Sequence, residues 1–499
     1  MSRLHKRRSG RTERATLENR RFSGKKPSAA SRHGWTDPWS LVRGPLIVVL
    51  AVLLAGGSLR AGDWVQLGCN AARTSYTPDE PKGPYKVAWV FDGVWPDDRL
   101  LATVQVVTWK RKGFVGSKRG TMYAFSLTDG KGLWKYRTGR AILQTAAVAD
   151  GLVVFGSMDG CVYAVGAEDG KLAWKTDLKA RGITNAPLVY EGRIYIGTRG
   201  GLFACLNATD GSVIWKKSFE SPIFQSPAAG DGKVFFSPED MYMRCLDAAT
   251  GKLLWRAERR MTIATLRGTH PVYHKGLLFT GNGSKYNSYK YRGGHAPAVK
   301  MPADMPPTDR KNTHMIDAKD FYPSYAKWLK DYDEDLRKRG ASNALLIFDA
   351  KTGRQLPGLP MAGHQSMACP LQAPAVTADG LVVYPQRYAD WSSHVGLFDP
   401  FSRELKAILV HQYYTNDDET QNFSVGGNTV FTVHTWEGHP GTMLAFDLTR
   451  KKRFELPEAY PRIMGEWKAA PPSNAASICG NLLFHVGGHR VAAWKGTSE

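Results

Sequence analysis

The chain has 499 residues and a formal net charge of +22, long enough for one large repeat domain plus an extension. The charge at first suggests nucleic-acid chemistry, but residues 1–44 hold twelve Lys or Arg against three acids, so +9 of it sits in one tail. No nucleic-acid module, phosphate-cradling glycine loop or Ser/His/Asp elbow occurs, which excludes the commonest nucleotide and hydrolase chemistries.

Residues 1–44 are polar and rich in Ser, Gly and Arg, the composition of a disordered basic tail. Residues 45–61 follow, beginning PLIVVLAVLLAGGSL. This uncharged run is shorter than the about 20 residues of a spanning helix, and its place after a basic region is that of an export signal. A cleaved signal peptide and a retained membrane anchor both fit, with the basic tail left on the cytoplasmic side. Residues 62–85 form a lead-in to the domain, and residues 86–91, KVAWVF, read as a lone strand carrying Trp89.

Between residues 120 and 255 one phrase recurs four times: GTMYAFSLTDGKGLWK, GCVYAVGAEDGKLAWK, GLFACLNATDGSVIWK and MYMRCLDAATGKLLWR. Its closing tryptophans, Trp134, Trp174, Trp215 and Trp255, are 40, 41 and 40 residues apart, a period that marks a repeat architecture. Within one unit, residues 144–176, the turn pairs Asp150-Gly151, Asp159-Gly160 and Asp169-Gly170 separate four runs rich in Val, Leu, Phe and Tyr. Glycine supplies the positive φ of tight hairpins, and the runs suit strands. Each unit is therefore expected to be a four-stranded antiparallel meander, and radial repetition of such units gives a β-propeller. The tryptophan four residues after each turn glycine should dock on a neighbouring unit, worth about 2 to 3 kcal/mol of burial.

The later repeats drift. Asp349-Ala350-Lys351-Thr352-Gly353 keeps the turn, but Pro357 stands where the tryptophan would be, and Asp399 and Asp447 head weaker copies. Residues 284–340 insert between the second and third strands of the fifth unit and include a charged helix expected at 325–339. Third-strand phrases number eight, and the eighth lacks an outer strand that the Trp89 strand can supply. The expectation is all-β, an eight-bladed propeller over residues 86–495 whose ring is closed by the N-terminal strand, leaving no bare sheet edge.

The repeated Asp, Asp/Thr-Gly-Lys and terminal Trp resemble the PQQ-like β-propeller repeat family, in its quinoprotein alcohol dehydrogenase-like and BamB-like branches. The resemblance covers roughly 400 residues, most specifically the first four blades, and implies an extracytoplasmic setting and, in the dehydrogenase branch, PQQ with calcium. The adjacent cysteine pair usual in that branch is missing, and neither its calcium-binding residues nor its catalytic Asp can be placed. No lipid-bearing cysteine follows the apolar run. The six cysteines, Cys69, Cys161, Cys205, Cys245, Cys369 and Cys479, show no metal-ligand spacing.

In a meander the loops between blades share a face with the loops joining second to third strands. That face carries the insertion and is the candidate binding surface. Around the channel, the innermost strands begin with an amide at Gln144, Asn185, Gln225, Gln372, Gln421 and Asn474, with Thr269 in the fifth blade and no alignable residue in the first. Amides both donate and accept, so they suit either a polar ligand or the backbone where strands enter the channel. No catalytic or metal residue is assigned. The function expected is a non-catalytic, exported or membrane-anchored scaffold, monomeric, that binds a protein or envelope component in the periplasm or envelope and no nucleic acid. The alternative is a PQQ-dependent quinoprotein oxidoreductase acting on alcohols or sugars.

Overall fold

The computed structural model describes residues 62–101, 104–263, 265–282, 315–317, 331, 345–358, 373–387, 393–409, 421–436, 439–456 and 475–497. The basic tail, the apolar run, most of the insertion with its expected helix, Gln372 and Asn474 lie outside the described residues. Among the described residues no helix is long and apolar enough to cross a membrane.

Eight antiparallel blades of four strands form the ring. Blade 1 contains Val107–Trp109, Lys112–Gly116, Thr121–Ser126 and Gly132–Arg137, and blades 2 to 7 follow at 147–177, 188–218, 228–256, 272–356, 375–409 and 421–455. Blade 8 has three strands of its own within 477–496, and Tyr85–Phe91 pairs with the last of them, Arg490–Gly496. Chain start and chain end thus share one sheet, as expected for an eight-bladed propeller closed by its N-terminal strand. The middle strands are buried along their whole length, for example Thr121–Ser126 up to its last residue, because both of their faces pack against neighbouring blades.

The tryptophans lock these contacts. Trp134 Nε1 donates to the carbonyl of Ala167, Trp174 to Ala208, Trp215 to Ala248 and Trp255 to Ala350, at 3.0–3.2 Å. Trp89, from the closing strand, does the same to Leu127 in blade 1. Each acceptor lies three residues before the turn glycine of the next blade, and that glycine seats the ring. Gly211 has φ +71, and a Cβ built there would lie 2.4 Å from the Trp174 ring. The glycine is thus required twice, for the left-handed turn and for the approach of the indole. A bulge one residue before each tryptophan, seen where Cys205 pairs with Trp215 but Leu206 with Val213, re-aims the side chain toward that seat.

Two extra strands lie in the less regular half. Met315–Asp317, from the insertion, pairs with the outer strand Glu404–Leu409 of blade 6, and Tyr76–Thr77 runs parallel to the inner strand Gln421–Gly426 of blade 7. In blade 7 the second strand runs on to Trp436 and the third begins at His439. The regular alternation Val-Phe-Thr-Val-His-Thr carries the pairing further than the loop-like His-Pro-Gly suggests.

Candidate functional site

The inner strand of every blade leaves one row of backbone groups facing the channel, and these need partners. The lead-in segment supplies them. The N–H of Thr108 in blade 1 donates to the carbonyl of Trp64, and Val148 in blade 2 to Val65. In blade 3 Val189 donates to Gln66 Oε1 and accepts from Gln66 Nε2. Ala229, Tyr273, Val376 and Val425, in blades 4 to 7, donate in turn to Ala71, Ala72, Thr74 and Ser75. In blade 8 the N–H of Gly480 donates to the Asp79 carboxylate. Residues 63–77 therefore wind once around the axis, touching the blades in order, and plug the channel. Gln105 fastens the plug, its Oε1 accepting from the Gly68 N–H and the Trp64 indole and its Nε2 donating to Ala475 in blade 8.

Arg73 of the plug is fully buried. Its guanidinium donates to the carbonyls of Pro187 and Pro227, the residues just before the inner strands of blades 3 and 4, and to Leu67 of the plug itself. Carbonyl dipoles thus carry its charge, with no bonded carboxylate among the described residues. Burial pushes its pKa down to about 9, so it stays charged at neutral pH. His270 lies beside this charge with both ring nitrogens sealed and unpartnered. Burial, then the Arg73 charge, pushes its pKa down to about 3, so the ring is neutral.

Gln144, Asn185 and Gln225 each stand three residues before the inner strand of their blade. Asn185 is buried between blades and donates to the carbonyls of Ile223 and Gln225, while its Oδ1 is buried without a partner. Gln225 accepts from the Ser237 N–H at 2.8 Å and donates to Thr269 and Thr280 of blade 5. In these two the amide ties one blade to the next. Gln144 sits half-buried at the equivalent place. Gln421 opens the inner strand of blade 7, its side chain outside the described residues, as are Gln372 and Asn474 altogether. Sequence reasoning missed Gln105, one residue out of line with the other amides, and Arg73, whose neighbours in sequence give no sign of a channel.

The loops between blades do share a face with the second-to-third strand loops. The N–H of Lys118 bonds to Arg99, Met158 to Ala141, Arg199 to Gly182 and Glu239 to Pro222, each joining one loop type to the other. The opposite face consists of tight turns in the regular blades. Of the cysteines, Cys69, Cys161, Cys205, Cys245 and Cys479 are described, and none is in a disulfide.

Residues 94–182 and 158–296 match a PQQ-like family described as outer membrane protein assembly factor BamB. BamB from Moraxella catarrhalis is 14% identical with a TM-score of 0.50, over 80% of this chain and 98% of that one. Quinohemoprotein alcohol dehydrogenase from Comamonas testosteroni is 13% identical with a TM-score of 0.56, over 88% and 82%. The quinohemoprotein alcohol dehydrogenase ADHIIG from Pseudomonas putida HK5 is 14% identical with a TM-score of 0.55, over 88% and 81%. No curated protein matches the sequence. The resemblance to the PQQ-like propeller family read from the repeats therefore holds, and at these identities the solved structures speak for the fold.

The PQQ and calcium that this resemblance implies do not fit the described residues of the channel. The axis at the level of the inner strands is filled by residues 63–77, bonded to blade after blade, and the Arg73 donors are turned to carbonyls. Among the described residues no three His, Cys, Asp or Glu side chains gather as cation ligands.

Proposed function

We propose that this chain is a binding protein of the cell envelope, exported or held by residues 45–61, that engages a protein or envelope component through the face carrying the insertion at 284–340. The filled channel is the observation that supports it most. With the axis given over to the chain's own backbone, the loops of the outer faces are left as the surface able to meet a ligand, and one of those faces is built of tight turns. Crosslinking of the full chain in intact cells tests the role. Deleting residues 284–340 is expected to abolish the crosslinked partner while thermal unfolding stays cooperative, and unchanged crosslinking would overturn it.

The fold shared with quinohemoprotein alcohol dehydrogenases over 88% of the chain is what speaks for the rival reading, a PQQ-dependent oxidoreductase, against the filled channel. Incubation with PQQ and calcium separates the two: a quinone absorbance shift with dye reduction on alcohols or sugars would replace the binding role with a catalytic one.

A further inference from the structure

Around the channel mouth, over blades 3 to 5, arginines lie on aromatic rings. Phe224, in the loop between blades 3 and 4, is 7% exposed and takes two guanidinium groups: Arg199 at 5.8 Å from its centroid, from blade 3, and Arg267 at 4.5 Å, from the loop leading to blade 5. Among the described residues neither guanidinium has a carboxylate within 4.0 Å. Arg181, exposed, belongs to the loop that holds the backbone of Arg199 through Gly182.

Of the acids nearby, Glu239 feels the charge of Arg267 but spends Oε1 on the Leu266 N–H and Thr265, while Asp240 pairs with Arg244 and Asp177 with Lys179. Glu220 is the exposed acid left in the same loop. On the opposite face, charges pair locally, as in Lys131 with Asp129 and Lys171 with Asp169. Two cations gathered on one ring repel each other, and a ring-stacked guanidinium keeps its edge donors open for a forked carboxylate. The ring itself is covered, so it offers no face on which a nucleic-acid base could stack.

We propose that Arg199 and Arg267, stacked on Phe224, dock an acidic, Asp/Glu-rich segment of a protein partner. The proposal deepens the binding role above by giving the partner's chemistry, and it rests on that role.

The test uses the full chain and a fluorescent peptide of alternating Glu and Leu, followed by anisotropy between about 50 and 300 mM salt, where screening changes most. Wild type should bind with an affinity that falls as salt rises. The double variant Arg199→Gln, Arg267→Gln should lose about tenfold or more. Lys131→Gln with Lys171→Gln, the same charge change on the opposite face, should leave affinity within about twofold. Equal losses in both variants, or none in the first, would overturn the proposal, as would polyphosphate binding more tightly than the peptide with the same dependence on the two arginines. Thermal unfolding of each variant guards against a folding defect. Peptide binding that survives deletion of residues 284–340 but not the arginine substitutions sustains this docking point even if the insertion proves idle. Loss of the cellular partner on that deletion, with peptide binding indifferent to the arginines, would sink this proposal and leave the binding role standing.

Discussion

Blades 1 to 4 and blades 5 to 8 solve the same packing problem differently. In the first half, each outer strand sends a tryptophan onto the turn glycine of the next blade, down to a shared hydrogen-bond acceptor three residues before that glycine. In the second half the docking tryptophan is gone from blades 5 to 7 and returns on blade 8 only as Trp89 of the closing strand, and borrowed strands appear: Met315–Asp317 on blade 6, Tyr76–Thr77 on blade 7 and Tyr85–Phe91 on blade 8. Tyr85 meets Phe454 of blade 7 edge-on at 6.1 Å, an aromatic contact of different origin at a similar place. Regular docking makes each blade self-sufficient. Where it lapses, distant parts of the chain cover the edges, and the fold becomes less local.

The contrast can be broken most forcefully at Trp174. Trp174→Ala should cost about 3 to 5 kcal/mol and lower the denaturation midpoint steeply. Leu356→Ala, half-buried on the outer strand of blade 5, should cost far less; equal losses would erase the distinction between the halves. Next comes the seat. Gly192 and Gly211 share a left-handed φ, +68 and +71, but a Cβ at Gly192 meets nothing within 4 Å whereas one at Gly211 strikes the Trp174 ring. Gly192→Ala should cost about 1 kcal/mol from backbone strain alone, and Gly211→Ala about 1 to 3 kcal/mol more, read from urea midpoints.

His270, where the halves meet, gives a pH test. Its folded pKa, pushed down to about 3, lies below the ordinary imidazole value near 6.5. In that window the unfolded chain binds the extra proton, so stability is whole above about 6.5 and falls as pH drops toward 3, by at most about 1.4 kcal/mol per pH unit. His270→Gln should flatten that part of the stability curve, and a variant as acid-sensitive as wild type would remove the buried neutral ring. The smallest effect is expected at the borrowed strand of blade 6. Asp317 pairs with Lys451 at the surface, so Asp317→Asn should cost less than about 1 kcal/mol in the same urea measurement.

Much of the ring was legible in the sequence because a 40-residue period and glycine-headed turns are local signals. Eight third-strand phrases gave the blade count, and Trp89 gave the closure. The seat of each tryptophan was hidden, since a turn glycine that also receives an indole looks like any other turn glycine. The plug was hidden for a deeper reason. Residues such as Trp64, Gln66 and Ser75 pair with strands from about 40 to over 300 positions away, and no periodicity links a lead-in of mixed composition to a ring of strand edges. The amides were visible as a row, but Asn185 and Gln225 hold neighbouring blades together through partners that no single repeat contains.

Amide hydrogen exchange along the inner strands tests the filled channel most directly. The N–H groups of Val148, Val189, Ala229, Tyr273, Val376 and Val425 face the axis and donate to the plug, so they should exchange as slowly as the buried middle strands. Fast exchange at these six, with the middle strands still protected, would mean an open channel and contradict the account.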